Sequence, residues 1–478
     1  MTPNQYTPEE PISSIATALA PAALGIIRVS GKESIELVSK VFSRPKALLE
    51  AAGNTLVYGW IVENSETATQ NSKLHRIDEV MCAVYRAPKS FTGEDMVEIF
   101  CHGGPSVVTA IQNLMLKIGF RQANRGEYTF RAYINGKTDL TKAEAVKEII
   151  DSHTDVSRSH AAGRLAGSLF EEIDSIKKLI IDTLAAIEVE IEYPEDEETI
   201  ADSFDREDIE QAITRLQSLV DSWKGEKLYQ DGARVVLAGR TNAGKSSLFN
   251  AVLKEERAIV SDIEGTTRDW LESWASINGI PVRLFDTAGL RETQDVIEAK
   301  GVQISRSLAN DADVVLYLID STAGLQPDDQ TFIENCQEPL IIVWNKADKG
   351  ESLPLASAES ASATPSNGAH PRNAPEVRIS AKTGAGLKAL FDEITKILTA
   401  GITTERQQAG IGSERQKNAV AEALECVKHA LISADDNYTL DAVVQDLEDA
   451  LDALGEVTGD VTPDDVLGSI FANFCVGK

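Results

Sequence analysis

The spacing of apolar and polar positions changes character three times along the chain. Over residues 1 to about 135, the short β-branched or apolar runs "LGIIRVSG", "TLVYGWIV", "DEVMCAVYRA" and "MVEIFCH" alternate with helical stretches such as "PSVVTAIQNLMLKIG". Runs of that length between turn residues predict strands, and their mixture with helices predicts an α+β module over 1–136. From about 138 the spacing turns helical with few breakers. The stretch "LTKAEAVKEIIDSHTDVSRSHAAGRLAGSLFEEIDSIKKLIIDTLAAIEVEIEY" is too long for one ordinary helix and predicts two or more packed helices, ended by the acidic run "PEDEE". Another amphipathic segment, "REDIEQAITRLQSLVDSWKGEKL", follows. After a different central region, helical spacing returns in "SERQKNAVAEALECVKHALIS" and "LDAVVQDLEDALDALGEVTG".

The central region opens with the apolar run "RVVLA" and the stretch "GRTNAGKSSLFN" at 239–250, a strand, loop and helix context that fits G-x-x-x-x-G-K-S. Gly239 and Gly244 let backbone N–H groups bend around phosphates. Lys245 reaches the β- and γ-phosphates, and Ser246 offers a hydroxyl to Mg²⁺. The bland alternative is a glycine-rich turn without a ligand. Helices on both sides predict an α/β P-loop domain at 231–398, inserted into an all-α helical domain made of 137–230 and 399–478. A length of 478 residues agrees with two to four domains.

Three further stretches point to a guanine nucleotide. "LFDTAGL" places Asp286 at a strand end, where it supports the Mg²⁺ shell, followed by Thr287, Ala288 and Gly289, whose backbone N–H meets the γ-phosphate. "IIVWNKAD" ends a later strand with Asn345, Lys346 and Asp348, and a carboxylate there accepts two guanine N–H donors that adenine does not present. "RISAK" supplies Ser380, Ala381 and Lys382, with the Ala381 N–H aimed at the guanine carbonyl. In order, these motifs predict GTP as the substrate, held also by Asn242, Ala243 and Ser247 of the first loop. Thr267 in "SDIEGTTRDW" is positioned to ligate Mg²⁺ and sense the γ-phosphate. Taken alone, it would be a polar loop with an N-cap threonine. Where small GTPases carry a water-orienting glutamine after D-x-x-G, this chain has Leu290, which cannot hydrogen-bond. Hydrolysis then needs another group. Asn242, through a monovalent cation, and Glu298 are the candidates, the latter balanced against a solvated helix residue.

The net charge of -29 repels polyanions, so a nucleic-acid partner has to be met through a basic patch, a metal or another protein, unless the acidity serves solubility alone. Five scattered cysteines (Cys82, Cys101, Cys336, Cys426, Cys475) lack C-x-x-C spacing and predict neither a zinc site nor a disulfide framework. A reducing cytoplasm is the default expectation. No stretch reads as a signal peptide or a membrane span. Residues 350–375, rich in Ser, Ala and Pro, read as a mobile surface loop.

The "NAGKS" loop, "GTTRD", "DTAGLRE" and the C-terminal "FCVGK", together with "GIIRVSG", "SFTGEDMVEIFCHGG" and "RGEYTFRAYINGK", resemble the MnmE (TrmE) family of tRNA modification GTPases over essentially the whole chain. The resemblance implies a homodimeric, potassium-activated GTPase. It implies a flavin-containing partner, MnmG, in a hetero-oligomer that places an aminomethyl or carboxymethylaminomethyl group on carbon 5 of the wobble uridine, position 34, of certain tRNAs. It also implies a tetrahydrofolate derivative, in the 5,10-methylene or 5-formyl form, contacted by Arg28, Glu98, Lys137 and Lys478. Potassium contacts carry over to Asn242, Ser261, Ile263 and Thr266, of which Ser261 and Thr266 also line the nucleotide, and magnesium contacts to Ser246 and Thr267. The water-orienting glutamate matches Glu298. Cys475 matches the family's cysteine, either as a thiol near the folate or as a buried small residue. Departures are "APAALG" ahead of "IIRVSG", Arg415-Gln416 where relatives often show Arg-His, and the 350–375 insertion. A ribosome-assembly GTPase would share the G motifs, but it usually carries a basic RNA-binding module that is absent here. A purely mechanical switch leaves "FCVGK" and the N-terminal module unexplained.

Overall fold

The computed structural model describes residues 10–63, 75–192, 205–255, 271–286, 311–349, 374–400, 409–435 and 440–477. They form two compact units, one of residues 1–147, 164–216 and 418–478, the other of 148–163 and 217–417.

The first unit begins with the strands β1 (Ile12–Ile15), β2 (Leu24–Ser30), β3 (Thr55–Glu63), β4 (His75–Tyr85), β5 (Met96–His102) and β6 (Arg121–Gln122), in the sheet order β3-β4-β5-β2-β1-β6. All neighbours are antiparallel except β1 and β6. Period-two alternation along these strands sorts the two faces. Ile27, Val29, Val97 and Ile99 point into a core closed by α1 (Ser34–Ser39), α2 (Pro45–Leu49) and α3 (Pro105–Lys117), whose Ile35, Val38, Leu48, Ile111 and Met115 are buried with them. Gly59 in β3 is required by that core, because a Cβ there would lie 2.4 Å from the Phe42 ring. Arg28 and Glu98 belong to the opposite face, as do the exposed side chains of Leu24, Leu56, Tyr58 and Met81. After the sheet, α4 (Glu127–Ile134) buries Tyr128, Phe130 and Arg131 completely.

The long helical stretch divides into three helices, α5 (Leu140–Asp151), α6 (Asp155–Ala166) and α7 (Ser168–Glu192). The second break falls at Gly167, whose φ of 111° is left-handed territory that other residues resist. "PEDEE" lies outside the described residues. α8 (Arg206–Asp231) contains the whole of the predicted amphipathic segment and ends at Gly232.

The second unit carries β7 (Ala233–Gly239), α9 (Lys245–Glu255), β8 (Leu271–Ile277), β9 (Ile280–Asp286), β10 (Val314–Asp320), α10 (Pro327–Asn335), β11 (Leu340–Asn345), β12 (Glu376–Arg378) and α11 (Leu387–Leu398). Its sheet order is β12-β11-β10-β7-β9-β8, parallel throughout except for the β8–β9 hairpin. Parallel strands covered on both faces read as unbroken apolar runs. "VVLYLI" in β10 is buried at every position, with its side chains divided between two cores, Val314, Leu316 and Leu318 in one and Val315, Tyr317 and Ile319 in the other.

Three helices complete the chain: α12 (Glu414–Asp435), α13 (Leu440–Thr458), which packs along α7, and α14 (Asp464–Ala472). Phe471 meets Phe130 edge to face and Phe474 at a tilt, in a buried aromatic group that seats the C-terminal segment on α4. The Arg415-Gln416 departure gains a local explanation. Gln416 is wholly buried, its Oε1 accepts the Gly412 N–H at 2.7 Å, and its N–H donates to Ser413 Oγ at 3.3 Å, a variation on the S-x-x-Q capping pattern.

Candidate functional site

β7 hands the chain to α9 through the loop 239–244, and its glycines are there for space. Gly239 has φ 133° and a Cβ would meet the Leu318 carbonyl oxygen at 2.4 Å; Gly244 has φ 98° and a Cβ would meet Asn345 Nδ2 at 2.1 Å. Asn242 also sits at positive φ, 64°, and its side chain is exposed. Lys245 is buried beneath this loop, donating to the carbonyls of Gly239 at 2.7 Å and Arg240 at 3.0 Å. Burial pushes its pKa below the ordinary lysine value, with Asp286 opposing. Ser246 Oγ donates to Asp286 Oδ2 at 2.9 Å, and Asp286 is 1% exposed at the end of β9. A hydroxyl and a carboxylate oxygen so placed are a hard donor set suited to Mg²⁺. Ser247 is exposed one position on, and Ala243 is buried.

At the far end of the sheet the structure joins the two base-recognition stretches through Asn345. Its Nδ2 donates to the Ala243 carbonyl at 2.9 Å and its Oδ1 accepts the Ala381 N–H at 3.0 Å. The side chain therefore spends its polar atoms cross-tying the phosphate loop to the 380–382 loop. Asp348 is exposed, and its Oδ1 accepts the Ser380 hydroxyl at 2.7 Å, a hydrogen bond that lowers its pKa. Lys346, at φ 63°, pairs with Asp320 at 2.6 Å. Burial works against the ionised Asp320, yet the Lys346 and Thr322 hydrogen bonds outweigh it and hold the carboxyl at about 2. Asp320 joins the cluster through Lys346, and its only signal in the sequence is its place at the end of the β10 run. Lys382 is exposed beside Ala381. Ser261, Ile263, Thr266, Thr267, Thr287, Ala288, Gly289, Leu290 and Glu298 lie outside the described residues, as does the 350–373 stretch.

The first unit holds a second cluster. Arg28 on β2 and Glu98 on β5 stand directly opposite in register and pair at 2.7 Å. Arg28 Nη1 also donates to the Gly477 carbonyl at 2.8 Å, drawing the C-terminal segment to the sheet, where Val476 bridges to Arg125. Three aromatic residues that sequence reasoning passed over surround the pair. Tyr85 Oη donates to Glu98 Oε2 at 3.4 Å, Tyr128 Oη donates to the Arg28 carbonyl at 2.7 Å, and the guanidinium lies 5.9 Å from the Phe91 ring centroid. Lys137 Nζ donates to the Pro88 carbonyl at 3.0 Å, and Lys478 lies outside the described residues. Cys475 is exposed, so the buried-filler alternative for it fails, whereas burial pushes the Cys82 thiol up to about 12 and the Cys101 thiol to about 11. Among the described residues no group of three or more His, Cys, Asp or Glu is arranged to hold a metal, and no helix is long and apolar enough to cross a membrane.

A family profile described as the GTP-binding protein TrmE N-terminus matches residues 11–137, and one described as the MnmE helical domain matches residues 140–475. A Treponema denticola protein named tRNA modification GTPase MnmE is 49% identical over 481 residues, covering 99% of both chains. A Carboxydothermus hydrogenoformans protein of the same name is 39% identical over 475 residues, covering 98% of this chain and all of its own. Among solved structures, Aquifex aeolicus Era bound to GDP.AlF4- is 28% identical over 41% of this chain and 66% of its own, with a TM-score of 0.26. With a profile spanning well over half its length and relatives this similar from end to end, the chain belongs to the MnmE family of tRNA modification GTPases.

Proposed function

We propose that this chain is a potassium-activated GTPase that acts with a flavin-dependent MnmG partner to form the 5-aminomethyl or 5-carboxymethylaminomethyl group on the wobble uridine, position 34, of certain tRNAs. Membership in the family makes it a GTP hydrolase of tRNA modification; the potassium, the partner, the folate and the site assignments are the finer proposal. The observation that carries the reading is the end-to-end similarity to a tRNA modification GTPase at 49% identity.

In the second unit, water attacks the γ-phosphoryl group of GTP and GDP leaves. Lys245 neutralises phosphate charge, Ser246 and Thr267 hold Mg²⁺ with Asp286 behind them, and Gly289 meets the γ-phosphate. Asn242, Ser261, Ile263 and Thr266 hold K⁺, which supplies positive charge where an arginine finger acts elsewhere. Glu298 orients the water. Asp348 reads the guanine, and the Asn345 bridge keeps the Ala381 N–H in place. In the first unit, Arg28, Glu98, Lys137 and Lys478 contact a tetrahydrofolate derivative, which supplies the one-carbon unit when bound. The Arg28–Glu98 pair suits a ligand bearing both donors and acceptors, and the exposed thiol of Cys475 lies two residues from the carbonyl that Arg28 holds.

We assign these roles to domains at 1–136, 137–230 with 399–478, and 231–398. A homodimer is supported by the exposed apolar sheet face of Leu24, Leu56, Tyr58 and Met81. The charge of -29 supports tRNA being met mainly through the complex, in the cytoplasm.

The direct test is GTP turnover in matched potassium and sodium buffers. Replacing potassium with sodium is expected to slow turnover by at least about tenfold, below the 10³ to 10⁵ of a complete charge-neutralising finger. Glu298→Ala is expected to slow it again while nucleotide affinity is kept. Equal rates in the two salts would remove the cation from the mechanism.

A further inference from the structure

Among the described residues β8 is the outermost strand of its sheet, paired with β9. Its first residue follows the stretch containing Thr266 and Thr267, and its hairpin partner β9 ends at Asp286. The hairpin therefore lies between two stretches to which the nucleotide roles are assigned, and what fixes it matters to both. Its turn, Asn278 at φ 50° and Gly279 at φ 86°, is the Asn-Gly type that suits a two-residue hairpin. That turn is held from two directions. Asn278 Nδ2 donates to Asp392 Oδ1 at 3.2 Å and Thr395 Oγ1 at 3.0 Å on α11. From the other side Val156 of α6 packs so closely that a Cβ on Gly279 would lie 3.2 Å from its methyl.

The main anchor is Trp274. His153, between α5 and α6, stacks on its ring with centroids 3.9 Å apart and planes 26° from parallel. The cross-strand neighbour Arg283 lies 5.4 Å from the same ring centroid, and Gly232, at the entry to β7, is so near that a Cβ would meet the indole at 2.5 Å. Trp274 thus touches the helical segment, the strand that ends at Asp286, and the strand that begins the phosphate loop.

The charged groups around His153 are Asp151 on α5 and Arg283 on β9, the latter paired with Glu272 on β8 at 2.8 Å. Partial burial is the largest influence on the ring and lowers its pKa; Asp151 raises it and Arg283 lowers it further. The neutral stacked imidazole is therefore the form the fold favours. Because the folded value is depressed, the stability this arrangement contributes is complete above the ordinary histidine pKa and falls away as pH drops through the folded value, where the imidazolium shares the Trp274 ring with the Arg283 guanidinium.

We propose that the His153–Trp274 stack is a positioning latch that couples residues 148–163 to the hairpin ending at Asp286, and that a proton on His153 opens it. The proposal extends to the nucleotide because the hairpin ends at Asp286: a latch that favours the nucleotide-binding arrangement lowers nucleotide affinity, by linkage, when it opens. The inference rests on the nucleotide reading above, but its spectroscopic test does not.

The first readout is tryptophan emission of the full chain between pH 5 and 8, with the Trp274→Phe spectrum subtracted to isolate one of five tryptophans. The wild-type difference spectrum should show a transition with a midpoint below about 6.5 that is absent in His153→Gln. The second readout is the affinity for a fluorescent GTP analogue at pH 7.5 and 5.5, with both chains checked for folding by circular dichroism. Wild type should lose at least about fivefold more affinity than His153→Gln, a comparison that cancels titration of the nucleotide. His153→Phe, which stacks without titrating, should bind like wild type at pH 7.5 and keep that affinity at 5.5. A transition that survives in His153→Gln, no transition at all, or equal affinity losses would overturn the latch. Failure of every chain to bind the analogue at either pH would instead count against the nucleotide reading.

Discussion

Gly244→Ala is expected to lower GTP affinity by more than about 100-fold while the chain still folds. The backbone there is at φ 98°, and the new methyl carbon would lie 2.1 Å from Asn345 Nδ2. Left-handed strain in a non-glycine residue costs about 1–3 kcal/mol. The larger effect comes through Asn345, which is 2% exposed and bridges the Ala243 carbonyl to the Ala381 N–H. Displacing it leaves those groups without their partner, at about 1–3 kcal/mol for each buried group left unmet, and moves both the phosphate-side and base-side loops at once. Asn345→Ala removes the bridge without strain in the loop, so it should lose affinity to a smaller degree. Titration with labelled GTP, alongside circular dichroism melts, checks both. Wild-type affinity in Gly244→Ala would mean that the loop does not hold the phosphates.

The second large effect is on stability. Arg131 is wholly buried, with Nη1 3.1 Å from both Glu94 oxygens and Nη2 2.9 Å from Glu127 Oε1 and from the Glu10 carbonyl. Glu127 is itself buried. Burial works to raise its pKa, but hydrogen bonds from Arg121, the Asn124 N–H and Arg131 overcome that and hold the carboxyl below the usual glutamate value. Arg131→Met removes the cation shared by Glu94 and Glu127 while Arg121 stays on Glu127, so the expected cost is about 3 kcal/mol, the low end for breaking a buried pair. Arg131→Lys should rescue little, since an ammonium cannot reproduce the forked contacts. Arg131→Met combined with Glu127→Gln should recover part of the loss. In wild type, the contribution of Glu127 is present above its unfolded pKa of about 4.5 and is lost as pH falls through the lower folded value. Urea unfolding at pH 7 and pH 4 measures both effects. A loss below about 1 kcal/mol in Arg131→Met would show that the network contributes little.

Local features were legible in the sequence, and paired ones were not. In the first sheet β2 to β5 are legible as short apolar runs between turn residues, whereas β1 and β6, of four and two residues, are too short to stand out, and β10 is an apolar run with no chemistry beside it to single it out. The phosphate loop was legible because its chemistry is contiguous from Gly239 to Ser247. Arg28 and Glu98 were assigned through resemblance, but nothing local announces that they stand opposite each other, since that depends on the register of strands 70 residues apart. Gly477, whose carbonyl Arg28 holds, is 449 residues away in sequence. Asn345 shows a subtler limit. Its motif places it with the base-reading residues, yet its polar atoms tie two loops together, a role set by the packing of β11 against the phosphate loop. Asp320 was hidden at the end of an apolar run, and its purpose appears only once Lys346 lies beside it. His153 carried no motif, and its partner Trp274 is on another element 121 positions on.

Whether this GTPase serves the wobble uridine of tRNA, as proposed, is decided by mass spectrometry of tRNA nucleosides. Cells lacking the gene would be compared with cells given back the wild-type chain or Gly244→Ala. 5-Aminomethyl or 5-carboxymethylaminomethyl uridines should vanish with the gene, return with the wild-type chain, and fail to return with Gly244→Ala. A nucleoside profile unchanged by loss of the gene would contradict the proposal.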